Sequence, residues 1–551
     1  METLFSGVTQ VGIVVVVLAL IHRPLGAYMA RVLEGARSGR VERAIYRVLH
    51  VDECADQSWV AYALSVIAFS LVSIVGLYAL LRASVLFPAP WGHEAGMGRL
   101  VALNTAISFV TNTNWQAYTP ETTLGFVAQA GGLAVQNFAS AAVGICVAAA
   151  LARGFARARS GGIGNFWVDY VRVILRLLLP LAFVSAVVLL LGGVAQSFAE
   201  PLSIHTLSGD TQLIATGPVA SQEAIKELGT NGGGYFAANS AHPLENPNLW
   251  TNLFEIVLIL AIPTALPRTF GIIVEDARQG RAILAAMGVL ATLSLALTSW
   301  AEWSAWRQGA ASVWEGKELR FGILPSSLFA TATTLTSTGA VDSMHASYTP
   351  AARAVLTLNM LLGEIAPGGV GSGLYGIVIV AIIAVFLAGL MVGRSPEYIG
   401  KKIGRTEMTL ASLYTLVTPA LVLAGVGLTY GLDSVREAQT NTGAAGLGEV
   451  LYAFASAANN NGSAMAGLDA SIPPLALGTS VAMLVGRFLP MVCVLALAGA
   501  LASAGRVGET AGTLPTHRPL FVGMTVGVAL IVTGLTFVPV MALAPLVEGL
   551  S

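Results

Sequence analysis

Charge is scarce in this sequence. Only 11% of its 551 residues are Asp, Glu, Lys or Arg, whereas about 25% of an average soluble chain is charged. The 29 basic and 30 acidic side chains nearly cancel, so neither a nucleic-acid surface nor an acidic tail is indicated. Cysteine is scarcer still. Cys54, Cys146 and Cys493 have no metal-ligand spacing, and the latter two sit inside apolar runs, which reads as packing rather than disulfide or metal chemistry. The chain contains no G-x-x-x-x-G-K-[ST], no H-E-x-x-H and no D-K-T-G-T. It therefore carries no signal for a phosphate cradle, a zinc protease or an aspartyl-phosphate ATPase. Nor is there a long polar stretch that could fold as a separate aqueous domain.

What the chain has in abundance is hydrophobic sequence, 55% of all residues. About ten runs are long enough to cross a bilayer at 1.5 Å per residue. They lie near residues 8–28, 58–83, 125–152, 171–194, 250–270, 281–302, 351–392, 409–430, 474–502 and 519–547. Basic residues concentrate in alternate loops: Arg23 to Arg47; Arg153, Arg157 and Arg159; Arg278 and Arg281; Arg394, Lys401, Lys402 and Arg405; Arg506 and Arg518. By the positive-inside rule these five loops are cytoplasmic and both termini extracytoplasmic. The first run has no cleavage pattern and reads as a retained helix. The run from Arg394 to Lys402 reads first as an orientation signal and lipid contact, with docking of a partner as the second reading. Trp300, Trp303, Trp306 and Trp314 read as an interfacial belt.

Four outward-facing connections share one pattern, a short amphipathic stretch followed by small polar residues and glycine. Leu103–Val110 leads into Thr111-Asn112-Thr113-Asn114-Trp115-Gln116, and Ser221–Leu228 into Gly229-Thr230-Asn231-Gly232-Gly233-Gly234. Ser326–Leu335 leads into Thr336-Ser337-Thr338-Gly339, and Gly448–Ala458 into Asn459-Asn460-Asn461-Gly462-Ser463. Asn114, Gly232, Gly339 and Gly462 fall 118, 107 and 123 residues apart, each interval enclosing two spans and one basic loop, which is a diverged internal repeat. The expected architecture is all-α and polytopic, with four helix/pore-loop/helix units around a pseudo-fourfold axis. The units run 58–160, 161–280, 281–408 and 409–505, with an extra helix and basic loop at 1–57 and a final helix at 506–551.

One such cluster alone reads as an ordinary turn. Four in equivalent positions are harder to dismiss. Extended backbone at membrane depth is tolerated only where protein or water surrounds it, and four converging loops of carbonyls can replace the water shell of a dehydrated alkali cation. Glycine and asparagine admit the left-handed conformations such loops need, and the helix preceding each loop aims its partly negative end at the centre.

The stretches FVTNTNWQ, LGTNGGGYFAANSAHPLENP, TSTGAVDSMHA, GEIAPGGVGSGLYG and AANNNGSA resemble the KdpA family, the potassium-binding subunits of bacterial Kdp pumps, over residues from about 5 to 545. The resemblance implies a bacterial inner-membrane subunit that binds potassium selectively but does not hydrolyse ATP, working with KdpB, a P-type ATPase, and with KdpC and KdpF. It implies a potassium filter of backbone carbonyls around Thr111, Asn112, Thr113 and Asn114, around Thr230, Asn231 and Gly232, around Ser337, Thr338 and Gly339, and around Asn459, Asn460, Asn461 and Gly462, flanked by Gln116. None of these loops is a TVGYG run, and the first has Asn114 where the others have glycine. No bound nucleotide is expected on the chain.

Two charges stand out against the apolar background. Arg487 lies inside an apolar run, where an ionised side chain costs at least about 2.5 kcal/mol on insertion scales. Glu364, followed by Pro367 and five glycines, sits where the seventh run must break and is the candidate partner of Arg487. The pair is read as a barrier under the filter, with a purely structural ion pair as the alternative. Two rival functions remain: a passive Trk- or Ktr-like potassium transporter, and a membrane-embedded enzyme using His242, Glu245 or His345.

Overall fold

The computed structural model describes residues 2–35, 37–93, 96–391, 393, 395–508 and 513–548. Arg394, the first residue of the proposed docking run, lies outside the described residues. Among the described residues, ten helices are long and apolar enough to cross a membrane: Gly7–Glu34, Trp59–Leu86, Val127–Ala156, Phe166–Leu191, Leu249–Ile273, Ala277–Arg307, Ser372–Met391, Arg405–Thr429, Pro473–Ser503 and Pro519–Leu543. Four shorter helices separate them in pairs. Arg99–Val110 follows the second span, Val219–Leu228 the fourth, Ile323–Leu335 the sixth and Gly443–Asn459 the eighth. At 1.5 Å per residue these reach about 15 to 25 Å, short of the roughly 30 Å hydrocarbon core. They enter partway and stop, and each hands the chain to a buried polar loop. The only strands described are two hairpins, Leu202–His205 with Thr211–Ile214 and Glu397–Tyr398 with Lys401–Lys402.

The third span is enclosed by protein along nearly its whole length, whereas the first, second and tenth face outward. Its sequence explains why. Residues Ala134–Ala156 are dominated by alanine and other small side chains, which let neighbouring backbones approach closely without a hydrophobic driving force. A β-carbon added to Gly154 would come 2.7 Å from the Ala498 backbone of the ninth span. Arg153, expected as a loop charge, is instead buried at the end of this span. It forms a two-pronged pair with Asp169 at 2.6 and 2.9 Å and reaches Glu34 at 2.8 Å, so it ties the first, third and fourth spans together.

The run expected at 351–392 as one span with a break is resolved into two helices, Pro350–Leu361 and Ser372–Met391. Between them Gly363, Glu364, Gly368 and Gly371 all take positive φ, from 50° to 91°. The break is pressed against the third span so tightly that a β-carbon on Gly371 would overlap the carbonyl of Gly144.

The second pore helix is held from behind by a charge cluster that its sequence, QEAIKEL, does not advertise. Lys226 Nζ lies 2.6 Å from Glu223, 3.4 Å from Glu227 and 3.1 Å from Glu245, and donates to Asn239 at 3.0 Å and Ser240 at 3.2 Å. All six side chains are buried. Asn239 in turn donates to the carbonyl of Gly233, and the Lys226 carbonyl accepts from Asn231 N at 2.8 Å, so the cluster sets the path of the following loop. Taking one partner from a buried charge pair costs about 3 to 5 kcal/mol, while an exposed pair is worth under about 1 kcal/mol. Lys226→Met is therefore expected to lower the melting temperature and the monodisperse yield in detergent sharply. Arg278→Ala, which breaks the exposed Arg278–Asp276 pair of 3.1 Å, should leave both nearly unchanged. Comparable melting curves for the two variants would refute the anchoring role of Lys226.

Candidate cation filter

Three of the four loops leave the C-terminal ends of their helices in the same way. Left-handed residues recur at every second position: Asn112 and Asn114 in the first loop, Ser337 and Gly339 in the third, Asn460 and Gly462 in the fourth. The second loop differs by one step, with Thr230 and Gly233 at positive φ. Alternating left- and right-handed residues turns successive carbonyls to one side of the chain instead of to opposite sides as in a strand. Thr113, Thr338 and Asn461 occupy the intervening positions.

The loops meet at Gly232. A β-carbon there would stand 2.8 Å from the carbonyl oxygen of Thr338, 2.9 Å from that of Thr113 and 3.2 Å from that of Asn461. Those three oxygens belong to the three other loops, so the four loops converge at Gly232, with carbonyls of the first, third and fourth turned toward it. Gly232 is required by space rather than by φ. On Gly462 a β-carbon would overlap the Thr113 carbonyl, and on Gly233 it would approach the Asn114 carbonyl at 2.8 Å and Gln116 Oε1 at 3.1 Å.

Asparagine side chains face away from the axis and hold the ring. Asn112 donates to the Thr230 carbonyl at 2.8 Å. Asn231 donates to Asn112 at 2.8 Å and to Asn114 at 3.1 Å, while Asn114 donates to Asn137 and Ser140 to Asn112, both at 2.8 Å from the third span. Asn460 donates to Thr113 Oγ1 and to the Met483 carbonyl, each at 3.0 Å, and Asn461 donates to the Thr333 carbonyl at 2.9 Å. Hydroxyl pairs Thr111–Thr113 and Thr336–Thr338, at 2.8 and 2.6 Å, stiffen the first and third loops. Gln116 accepts from Gly234 N at 3.0 Å, beside the second loop. Asn459 is placed differently from its neighbours: it is the last residue of the fourth pore helix, and its amide donates back to the Ala455 carbonyl at 2.9 Å. Asn137 and Ser140 had no sequence signal, since on an alanine-rich span they read as ordinary small polar residues.

The broken seventh span hangs below the loops. Val370 N donates to Thr230 Oγ1 at 2.9 Å and Gly368 N to the Leu335 carbonyl at 3.0 Å. A cavity beneath is lined by Ser337, Gly363, Tyr375, Asn459, Asn460 and Arg487. The expected pairing of Glu364 with Arg487 is not formed: no ion pair joins them among the described residues. Arg487 instead sends Nη2 toward the Ser140 carbonyl of the third span at 3.5 Å. Glu364 sits in the break with Ser337 and Asn461 beside its carboxyl, and both of its oxygens are buried without a hydrogen-bond partner in the protein. Each charge is thus held by a different element. The residues of the enzyme alternative are likewise dispersed. Glu245 belongs to the Lys226 cluster, His242 stacks on Phe236 at 3.7 Å and His345 bonds Tyr452. Among the described residues only Glu223, Glu227 and Glu255 come together as a carboxylate triad, within 4.8 Å, and Lys226 lies against the first two.

The chain is similar to known proteins along nearly its whole length. The family model described as KdpA, potassium-transporting ATPase A subunit, matches residues 12–550. The potassium-transporting ATPase potassium-binding subunit of Clavibacter sepedonicus is 58% identical, with the whole of both chains covered. That of Cutibacterium acnes is 55% identical over 97% of each chain, and that of Streptomyces coelicolor 53% identical over the whole of both. A solved structure, the potassium transporter TrkH from Vibrio parahaemolyticus, matches with a TM-score of 0.53 over 86% of this chain and 97% of its own, at 14% identity. That likeness shows a shared helical pore-loop fold. Matching along its whole length, the chain belongs to the KdpA family, the A subunits of potassium-transporting ATPases.

Proposed function

We propose that this chain is the potassium-selecting subunit of an ATP-driven import complex in the bacterial cytoplasmic membrane. Potassium enters from the extracytoplasmic side, sheds water against the carbonyls of Thr111 to Asn114, Thr230 to Gly232, Ser337 to Gly339 and Asn459 to Gly462, and passes below, with Gln116 at the flank. The observation that carries this reading is the meeting of three foreign carbonyls at Gly232. The loops are neutral, which suits a site that must release its ion as well as bind it. The reading includes four pseudo-fourfold units and, from the positions of the basic loops, both termini outside.

Import against a gradient costs about 1.4 kcal/mol per tenfold ratio, offset by about 2.3 kcal/mol per 100 mV of inside-negative potential. At low external potassium the balance must come from a coupled reaction, and this sequence has no phosphorylation motif. The relatives' name, potassium-transporting ATPase potassium-binding subunit, supports partners that hydrolyse ATP: KdpB as the P-type ATPase, with KdpC and KdpF completing the complex. The broken seventh span and Arg487 close the straight path under the filter. The cavity beside them continues past Tyr414 and Thr533, between the eighth and tenth spans, as a sideways exit toward such a partner. The passive-transporter alternative is favoured only by a fold shared at 14% identity.

The test is potassium-stimulated ATPase activity of the complex purified with this chain. Gly232→Asp, which puts bulk and charge among the three carbonyls, is expected to abolish potassium stimulation or loosen its discrimination against sodium while the complex stays assembled. An unchanged potassium dependence would sink the filter assignment, and a chain that copurifies with no ATPase would leave the passive transporter standing. Arg487→Gln should lower the barrier under the filter by on the order of 2 kcal/mol, about thirtyfold in passive rubidium flux through reconstituted vesicles. Flux at the wild-type level would make Arg487 a purely structural residue.

A further inference from the structure

Behind the fourth loop runs a chain of hydrogen bonds that none of the preceding roles uses. Asn461 puts its backbone carbonyl against Gly232 and Gly339 at the axis. Its carboxamide is fixed on both sides. Oδ1 accepts from Ser463 N at 3.0 Å and from Ser463 Oγ at 2.5 Å, and Nδ2 donates to Thr333 O on the third pore helix. Ser463 Oγ lies 2.9 Å from the hydroxyl of Tyr452, on the fourth pore helix, and that hydroxyl lies 2.6 Å from His345 Nδ1. Tyr452, Ser463, Asn461 and His345 are all buried.

The direction of this chain is forced. A carboxamide oxygen only accepts, so the serine hydrogen goes to Asn461. The serine oxygen must then accept from Tyr452, which spends the phenol hydrogen, so the phenol oxygen accepts from His345 Nδ1–H. The imidazole must be protonated at Nδ1. Its burial and the nearby Lys317 ammonium, which is paired with Glu302 at 2.8 Å, push its pKa down to about 3, so it carries a single hydrogen at neutral pH. Tyr348, under Lys317 at 4.1 Å, packs edge-on against the same ring. His345 comes from the segment after the third loop, so the relay adds a second tie between the third and fourth units beside the Asn461–Thr333 bond.

We infer that Tyr452 is a positioning residue for ion selectivity: through Ser463 it fixes the carboxamide of Asn461, and with it the carbonyl that the fourth loop offers to the ion. The inference rests on the filter reading above. A ring of carbonyls discriminates between ions by the number and stiffness of its ligands, so freeing one of the four loops should relax discrimination before it stops turnover.

The experiment uses the purified complex and compares half-saturating potassium, maximal ATPase rate and the rubidium-to-potassium ratio. Tyr452→Phe keeps the ring and removes the relay. It is expected to raise half-saturating potassium about three- to tenfold, the worth of one hydrogen bond, and to bring the rubidium-to-potassium ratio closer to one, with the maximal rate within about twofold of wild type. Ser463→Ala should do the same, and the double variant should be no worse than either single change because the chain is already cut. His345→Gln, which retains a donor, should stay closer to wild type than His345→Leu. A Tyr452→Phe complex that loses maximal rate but keeps its ion dependence has only a structural tyrosine, and the inference is wrong. Gly232→Asp run alongside separates the two claims. If it alters ion dependence and Tyr452→Phe does not, the relay fails alone; if neither alters it, the filter reading fails first.

Discussion

The structure depends on one arrangement: backbone carbonyls of Thr113, Thr338 and Asn461, from three separate loops, turned toward Gly232 of the fourth. In lipid an unpaired carbonyl costs several kcal/mol, and oxygens of like partial charge repel. The loops cannot hold this geometry by themselves. What surrounds them is a set of donors placed on the outward side, so that the backbone is restrained while its inward face stays free. Asn112, Asn114, Asn231, Asn460 and Asn461 do this directly, and Lys226 does it for the second loop through Asn239.

Donors at such short range require backbones at short range, and this accounts for the small residues. Gly144 lets the Val370 carbonyl of the broken span come against the third span, Gly486 admits the Ala458 carbonyl at the end of the fourth pore helix, and Gly154 admits the ninth span. The alanine-rich third span is the common wall. It carries Asn137 and Ser140 to the first loop and Arg153, at its other end, to the ion pairs with Glu34 and Asp169. Composition that looks featureless in sequence is what brings the polar groups within bonding distance.

Much of this was legible in the residues. Hydropathy located the ten spans to within a few residues, apart from the seventh, whose glycines announced the break but not that Pro350–Leu361 would stand as a helix of its own. The four pore helices were found because each ends in the same kind of polar cluster, and they proved longer at the N-terminal side than the amphipathic stretch alone suggested. What could not be read were contacts between distant segments. The carboxylates around Lys226 come from the pore helix and from the loop after it, with no spacing to mark them. Arg153 looked like an orientation signal because it borders a basic loop, yet Asp169 and Glu34 draw it inward. Glu364 and Arg487 were matched as the two charges left over in apolar sequence. That inference treats burial as if it implied pairing, and here the arginine found a carbonyl instead.

Arg487 and Glu364 are held by different elements beneath the four loops. Arg487 points Nη2 at the Ser140 carbonyl of the third span, and Glu364 sits in the break of the seventh with both carboxyl oxygens buried. Ser140 couples this arrangement to the ring itself: its carbonyl faces Arg487 at 3.5 Å, and its hydroxyl donates to Asn112 at 2.8 Å. One residue of the third span therefore sets both the lateral restraint on the first loop and the seat of the charge below it. The two are held in register by a rigid helix rather than by a flexible side-chain pair.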